Sequence, residues 1–290
     1  MELNWTGERY LPWVGGHNIH YEHLHRYFFA SLLVKNKKVL DLASGEGYGS
    51  SLLSKTAREV IGLELDGQTV QHAGKKYCSG NLSFLQGDIC AVPFKENEYF
   101  DVIVCFEAIE HVEKQDKVMQ EIKRLLKNDG MLLISSPNRL LHGDDAVRAN
   151  EFHKKEMYFA EFKGLLEKYF PSVEFFGQQA MAGSVIWPLD NRARETDAAY
   201  LTRQDEKYTF WEKPGREPLF FMAVASFSKL NFAKESVLLD AEYNADYMEE
   251  QKERLKTAEE QLKAVKESTS WKITAPLRLL RNFFKSAKRS

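Results

Sequence analysis

Short apolar runs alternate with segments of helical period along the first half of the chain. The apolar runs predict five strands, over 38–42, 60–64, 82–86, 100–105 and 131–135. The run 100–105 is nearly continuous in apolar residues, as in a strand buried on both faces. The segments between the runs predict helices over 21–34, 50–56, 69–77 and 114–126. The last of these is followed by Asn128-Asp129-Gly130, a sequence typical of a helix end.

The pattern continues with a predicted helix over 156–168 and strands over 173–176 and 219–227. Alternating strands and helices predict an α/β fold with a doubly wound, mostly parallel, seven-stranded, Rossmann-like sheet. In such a sheet, ligands bind at the carboxyl ends of the strands. The polar, aromatic-dotted stretch 181–218 is an insertion between the last two strands, which we interpret as a substrate lid.

These patterns divide the chain into an N-terminal cap over 1–34, a core domain over 35–230 and a tail over 233–290. The tail is rich in Glu, Lys, Ala and Leu, and Met248, Leu255 and Leu262 are spaced seven apart. This spacing predicts a long helix or a short coiled coil, through which the chain could oligomerise.

Composition narrows the class of protein. The 290 residues are 43% hydrophobic with a net charge of −2, which predicts a folded core and no general attraction to nucleic acid. The first residues carry neither a basic nor an apolar signal region, and the three cysteines lack metal-ligand spacing. We therefore expect a protein of the reducing cytoplasm.

An acidic residue stands at or just after the carboxyl end of each of the first three predicted strands. The first strand enters the loop Ala43-Ser44-Gly45-Glu46-Gly47, where glycines allow the backbone to approach a ligand closely. Asp41, just before this loop, suits a cationic amino-acid ligand better than a pyrophosphate. Glu64 ends the second strand, where a carboxylate can accept two hydrogen bonds from a ribose diol. Asp88 follows the third strand and can accept from an adenine amino group.

This series, together with Phe100-Asp101-Val102-Ile103, resembles motifs I to IV of class I S-adenosylmethionine-dependent methyltransferases. The resemblance covers about residues 35–140 and implies S-adenosylmethionine as cofactor. It implies methionyl contacts from Asp41, Gly45 and Gly47, ribose contacts from Glu64, and adenine contacts from Asp88 and Ile89. The remaining cofactor contacts that we predict are Ala43, Leu65, Phe106 and Arg26. Ser44 stands where many relatives carry Cys or Gly.

Candidate chemistry follows the fourth strand. If a helix begins at Phe106, then Glu107, Glu110 and His111 share one face, at the strand end where ligands bind. His111 has the intrinsic pKa of a general base and, with Glu107, is our predicted catalytic pair. A metal ion could instead lower the pKa of an acceptor hydroxyl.

The Glu-x-x-Glu-His pattern resembles ubiquinone-pathway and small-RNA O-methyltransferases, in which these residues are linked with a divalent metal. The RNA enzymes add a later histidine, for which His153 is the candidate and His142 the rival. Three interpretations stay open. Glu107, Glu110, His111 and His153 bind Mg²⁺ or Mn²⁺; His111 acts as a base without metal; or His111 only packs, and proximity drives the transfer.

The N-terminal segment resembles the cap of methyltransferases found among bacterial glycan-assembly proteins. That likeness implies that Arg9, Tyr10, Tyr21, His25 and Arg26 close over the cofactor carboxylate or the acceptor. Four histidines, His17, His20, His23 and His25, also cluster here. They could bind a metal, but their aromatic neighbours favour a lid.

The C-terminal segment 271–290 carries six basic residues and no acidic one. Leu277, Leu280, Phe283 and Phe284 form an apolar stripe beside these cations, a pattern typical of a helix lying on an anionic membrane. Docking onto a protein partner is the alternative. The sequence 268–278 resembles segments of bacterial polysaccharide glycosyltransferases and their partners, which implies a glycosyltransferase partner.

Together these features predict an O-methyltransferase that acts on a sugar hydroxyl of a bacterial surface glycan or its precursor. A small aromatic or quinone-like acceptor is the alternative within enzymes. The alternative outside enzymes is a non-catalytic scaffold of a glycan-assembly complex. A scaffold would tolerate Glu107→Gln and His111→Ala, whereas an enzyme would not.

Overall fold

The computed structural model describes residues 10–13, 17–142, 152–181, 183–189, 200–204, 207–211, 217–230, 236–238, 255–257, 260–268 and 271. The chain divides into two compact units, Met1–Leu239 and Asp240–Ser290. In the second unit, residues 255–257 and 260–267 are helical, and Leu255, Leu262 and Val265 are exposed. Met248 and the segment 272–290, with its predicted membrane helix, lie outside the described residues. None of the described helices is long and apolar enough to cross a membrane.

The first unit is a single large sheet with helices on both faces, plus a two-stranded hairpin. Its helices are α1 His17–Ser31, α2 Tyr48–Ser54, α3 Gly67–Lys76, α4 Gln115–Leu125, α5 Arg139–His142 and α6 Phe159–Tyr169. Its strands are β1 Lys38–Leu42, β2 Glu59–Glu64, β3 Leu82–Gln86, β4 Phe100–Cys105, β5 Leu126–Pro137, β6 Ser172–Met181, β7 Gly183–Pro188, β8 Tyr200–Gln204, β9 Lys207–Trp211, β10 Phe220–Ser226 and β11 Ser236–Leu238. The predicted bounds of β1, β3 and β4 are confirmed.

The sheet contains nine strands in the order β11-β7-β6-β10-β5-β4-β1-β2-β3, so the prediction of seven was wrong. Strands β3, β2, β1, β4 and β5 pair in parallel, and the pairings among β5, β10, β6, β7 and β11 are antiparallel. The sheet is therefore half parallel, not mostly parallel. The extra strands arise because β7, in the predicted insertion, joins the sheet beside β6, and β11 pairs with β7.

Alternate residues of the central strands feed two cores. Ile103 and Cys105 of β4 pack in a core with side chains of α4 and α6, and Val102 and Val104 pack in a second core with side chains of α1 and α2. Because side chains of a strand alternate between faces, the two cores lie on opposite faces of the sheet. The Rossmann-like layering is thereby confirmed.

Helix α4 ends earlier than the sequence predicted. Its last residue is Leu125, and Leu126 pairs at once with Phe100 of β4. Both leucines are buried, so the chain turns directly into the sheet. The Asn128-Asp129-Gly130 sequence lies inside β5, where the pairing register shifts, and is a bulge instead of a helix cap.

Candidate cofactor and methyl-transfer site

One cavity of about 940 Å³ opens at the carboxyl ends of the parallel strands. It is lined by seven of the predicted cofactor residues, Ala43, Gly45, Glu64, Leu65, Asp88, Ile89 and Phe106. All four predicted catalytic or metal residues also line it, Glu107, Glu110, His111 and His153. The structure thus brings the two predicted groups into one space.

The loop after β1 is built from left-handed backbone conformations. Ala43, Gly45 and Gly47 have φ angles of 56°, 54° and 97°. Gly47 is the N-cap residue of α2 and does not line the cavity. A Cβ added to Gly47 would lie 2.8 Å from the Ala73 Cβ. Gly47 therefore lets α2 and α3 approach each other, while Gly45 faces the cavity.

Glu64 is fixed by two backbone donors. Its Oε2 accepts from the Gly45 amide at 3.0 Å, and its Oε1 accepts from the Asp66 amide at 3.1 Å. Asp88, on the next strand end, accepts from the Cys90 amide at 2.8 Å. Both carboxylates are thus oriented by the backbone before any ligand arrives.

Asp41 and Arg26 lie behind the cavity wall and do not line it. Asp41 is fully buried and accepts hydrogen bonds from the Ser50 hydroxyl at 2.6 Å and the Tyr27 hydroxyl at 3.1 Å. Burial outweighs these donors and raises the pKa of Asp41 to about 7. Asp41 thus supports the loop from below.

Arg26 is 1% exposed and donates to the Gln178 side chain at 2.7 Å. Its Nη1 lies 3.9 Å from a carboxylate oxygen of Glu107, and its guanidinium stacks over the ring of Phe220. These contacts place Arg26 beneath Glu107.

The prediction of one helix face for Glu107, Glu110 and His111 was wrong. The only helical turn is a short 3-10 helix, Ile109–His111, and Glu107 precedes it with a left-handed φ of 48°. The Ser135 hydroxyl, on the neighbouring strand β5, explains this turn. It accepts from the Glu107 amide at 3.1 Å and donates to the Glu107 carboxylate at 2.6 Å. Glu107 is thereby held on β5 and away from a helical conformation.

Glu110, His111 and His153 nevertheless come together. One ligand atom from each lies within 4.8 Å of the others, and this is the single such trio in the described part of the chain. Neither carboxyl oxygen of Glu110 has a hydrogen-bond partner in the structure, although the side chain is completely buried. Burial first, and Glu107 second, hold the pKa of Glu110 well above its usual range.

Both histidines are oriented by a partner at Nδ1. His111 Nδ1 donates to the Phe152 carbonyl at 3.1 Å, and His153 Nδ1 contacts the Glu156 carboxylate. In the neutral rings, Nε2 is then the atom that can bind a metal or accept a proton. His142, the rival of His153, has a side chain outside the described residues.

The cap and the start of α2 contribute an aromatic wall, defined here as Tyr10, His23 and Tyr48, all of which line the cavity. Tyr10 stacks on His23 with ring centroids 4.7 Å apart, and His23 Nδ1 lies 3.0 Å from the Tyr48 hydroxyl. Tyr48 was not predicted from the sequence.

Among the other cap residues, His25 is buried against Ser236, and burial lowers its pKa to about 4. Tyr21 is buried outside the cavity lining, and Tyr10 contacts His20. Arg9 and the side chain of His17 lie outside the described residues. The described cap histidines therefore contact tyrosines and a serine.

Sequence reasoning also missed Glu46, which lines the cavity between the two glycines. Its carboxylate accepts from Lys76 at 2.7 Å and Tyr77 at 2.6 Å and lies 3.0 Å from His72 Nε2. The loop is thereby tied to α3. An acidic residue between two loop glycines was the available signal, but its partners lie 26 to 31 residues away.

Comparison with known proteins agrees with this geometry. Residues 40–134 match a family model described as a methyltransferase domain. The chain is 35% identical over 172 residues to a Mycolicibacterium smegmatis protein named "Probable S-adenosylmethionine-dependent methyltransferase", covering 56% of this chain and 63% of that protein. It is 34% identical over 111 residues to an Actinobacillus pleuropneumoniae "Ubiquinone biosynthesis O-methyltransferase", covering 36% and 47% of the two chains.

The match therefore spans less than two thirds of either relative's length. Among solved structures, an S-adenosylmethionine-dependent methyltransferase of Thermotoga maritima shares the fold, with a TM-score of 0.50 and 18% identity over 72% of this chain and 90% of that one. Residues 40–134 are thus similar to a methyltransferase domain, and the chain has the Rossmann-like α/β fold of the Thermotoga maritima structure.

Proposed function

We propose that the chain is an O-methyltransferase that takes its methyl group from S-adenosylmethionine. The observation that carries this proposal is the shared cavity. At one end Glu64 is fixed by backbone donors, and at the other Glu110, His111 and His153 form a cluster that can activate a hydroxyl. Proximity of donor and acceptor sites is the main requirement of methyl transfer.

The cavity fits the cofactor in its chemistry. The loop approaches the cavity with backbone at Gly45, and Glu64 offers carboxylate oxygens for a diol. The Ser44 hydroxyl is buried on the cavity wall and has no hydrogen-bond partner in the structure. A ligand in the cavity would supply that partner. When bound, the cofactor supplies a sulfonium-linked methyl group.

The acceptor end fits a divalent cation, for which we propose Mg²⁺ or Mn²⁺. Glu110, His111 and His153 would bind it, since one ligand atom of each lies within 4.8 Å of the others and both rings are oriented by a partner at Nδ1. The two unpartnered oxygens of buried Glu110 support this proposal. A bound cation would lower the pKa of an acceptor hydroxyl. Glu107 would orient the site from its bond to Ser135.

A metal-free mechanism is the second candidate. In it, His111, with its Nε2 4.0 Å from Glu110, accepts the hydroxyl proton directly. Titrating the protein with Mn²⁺, Mg²⁺ and Zn²⁺ by calorimetry distinguishes the two. Micromolar binding that His153→Ala abolishes supports the cation, whereas activity that is unchanged by a chelator supports the base.

As acceptor we propose a sugar hydroxyl of a bacterial surface polysaccharide or its precursor. The support is the sequence resemblance of the cap to glycan-assembly methyltransferases and the aromatic wall, since aromatic and hydroxyl groups together suit a sugar ring. The relatives named ubiquinone biosynthesis O-methyltransferase favour a second candidate, a small aromatic hydroxyl. Assaying methyl transfer to panels of both acceptor classes separates them.

The decisive test is calorimetric titration with S-adenosylhomocysteine. We expect micromolar binding by the native chain and a loss of at least about a hundredfold in Glu64→Ala, because the loop amide and the diol lose their shared acceptor. Glu96→Ala, which removes an exposed acid outside the cavity, is the matched control. Failure of the native chain to bind would refute the methyltransferase proposal and favour the scaffold.

A further inference from the structure

Three lysines, Lys114, Lys117 and Lys154, line the same cavity as His111 and His153. We call them the lysine rim. All three residues are exposed, so their ammonium groups are hydrated and available to a ligand. They come from two chain segments, the start of α4 and the segment after residue 151, and meet only in the folded protein.

The backbone of the lysine rim is fixed. The amides of Lys154 and Lys155 both donate to the Glu110 carbonyl at 2.9 Å. The buried side-chain amide of Gln115 donates to the carbonyls of Ile109 and Lys155, each at 3.1 Å. These bonds tie the segment 152–155 to the 3-10 helix and to α4. The backbone segments that carry the three lysines are therefore hydrogen-bonded to one another and to the 3-10 helix of Glu110 and His111.

Two acids on the same segments are already engaged by other groups. Asp116 accepts from Lys168 at 2.6 Å and from the Tyr169 hydroxyl at 2.7 Å, and Glu156 contacts His153. No ion pair of the lysine rim is found within the part of the chain that the structure describes. Two acids of the cavity lining lie beside this rim, the exposed Glu113 and the buried Glu110, whose pKa burial holds above its usual range.

Three other acids of the lining are hydrogen-bonded away from the rim. Glu46 and Glu64 are bound to donors at the cofactor loop, and Glu107 is bound to Ser135. Burial and Asp88 raise the pKa of the Cys90 thiol, and Lys117 and Lys114 oppose that rise. Lys114 and Lys117 thus act on Cys90, which lines the same cavity.

We propose that the lysine rim binds a phosphate group of the acceptor. The methylated hydroxyl then belongs to a sugar carried as a phosphate or diphosphate ester, and not to a neutral polymer. Ammonium groups bind phosphate oxygens as point charges, and several together give affinity and faster encounter that fall with salt. The proposal rests on the proposed methyltransferase function and names its substrate class.

This substrate class implies an order of reactions. A sugar phosphorylated or linked to a diphosphate carrier must be made before this step. A glycosyl transfer that releases the phosphate would follow it. The methyl group would then be installed before the sugar joins a polymer.

The test uses the full chain saturated with S-adenosylhomocysteine and titrates inorganic pyrophosphate by calorimetry in a chelator. We compare native protein with the triple variant Lys114→Gln, Lys117→Gln, Lys154→Gln. The matched control is Lys55→Gln, Lys75→Gln, Lys123→Gln, which removes the same charge from exposed lysines outside the cavity lining. We expect pyrophosphate affinity to fall at least tenfold in the rim variant alone, with S-adenosylhomocysteine affinity unchanged.

Two further arms identify the source of the phosphate. UDP-glucose represents a nucleotide-linked sugar, and geranylgeranyl diphosphate in detergent represents a lipid carrier; the one that binds more tightly than pyrophosphate names the source. Equal pyrophosphate binding by native, rim and control proteins overturns the proposal. So does affinity that does not change between about 0.05 and about 0.3 M salt, a readout that needs only native protein. Loss of S-adenosylhomocysteine binding by native protein would instead refute the proposed function.

Discussion

The two ends of the cavity differ in how completely their polar groups are bonded. At the loop end, the carboxylates of Glu46, Glu64 and Asp88 accept from backbone or side-chain donors. At the cluster end, Glu110 is fully buried and neither of its oxygens has a hydrogen-bond partner. Buried polar atoms without a hydrogen bond are rare in folded proteins, because each one lowers the free energy of unfolding.

This difference indicates two kinds of preparation for a ligand. The loop end is organised by local backbone donors and needs little rearrangement on binding. At the cluster end, the buried carboxyl of Glu110 lacks hydrogen bonds and so lowers the stability of the protein, a cost that a bound cation or ligand would offset. Ser44 is the exception at the loop end, since its buried hydroxyl also has no partner.

The largest expected effect tests the rigidity of the loop end. Gly47→Ala should lower the free energy of unfolding by about 4 kcal/mol, because the new Cβ would lie 2.8 Å from the Ala73 Cβ at a φ of 97°. Gly74→Ala, in α3 with no atom within 4 Å of its added Cβ, should be neutral or stabilising by about 0.5–1 kcal/mol. Urea unfolding measures both. Equal losses would show that the loop end is not tightly packed.

The next prediction tests the unsatisfied cluster end. Glu110→Met should raise the free energy of unfolding of the ligand-free protein by about 2 kcal/mol, because it removes a buried carboxyl group that accepts no hydrogen bond. The same change should abolish stabilisation by Mn²⁺ and methyl transfer. Glu113→Met, at the exposed rim, is the control. A destabilised Glu110→Met variant would mean that Glu110 contributes to the fold and not to a ligand site.

The stability of the loop end should depend on pH through Asp41. Its folded pKa of about 7 lies above the unfolded value of 3.8, so the native state retains a proton that the unfolded chain releases. Stability should therefore fall as pH rises from about 4 to about 7. Asp41→Asn should remove about 2 kcal/mol of that fall, measured by urea unfolding at about pH 5 and pH 8. Parallel pH profiles for the two proteins would contradict this origin.

The smallest effect concerns Ser44. Ser44→Ala should leave the stability of the ligand-free protein unchanged or raise it by up to about 1 kcal/mol, since a buried hydroxyl without a partner is removed. It should weaken S-adenosylhomocysteine binding about three- to tenfold. Ser83→Ala, exposed on β3, should change neither. If Ser44→Ala lowers stability without changing affinity, the hydroxyl has only a structural role.

Much of the parallel half could be predicted from the sequence. The apolar runs predict the bounds of β1, β3 and β4. The acids at the strand ends can be read directly from the sequence, and they suggested a cationic, ribose-bearing ligand. These features are local, because a strand's periodicity and the residue at its end lie within a few positions of each other. The antiparallel half was underestimated, since β7 and β11 become strands only by pairing with a sheet edge.

The tertiary structure decided which predicted residues reach the cavity. Asp41, Gly47 and Arg26 lie behind its wall, because α1 and α2 pack over that face of the sheet.

By itself the sequence determined an α/β fold, a similarity to methyltransferase domains over 40–134, and the positions of the acids and glycines at the strand ends. Only the tertiary structure bound Glu107 to Ser135, out of a helical conformation, and brought His153 next to His111 across 41 intervening residues. The physical reason is that hydrophobic period and backbone geometry are encoded over a few neighbours. Contacts between distant side chains depend instead on how the strands pair.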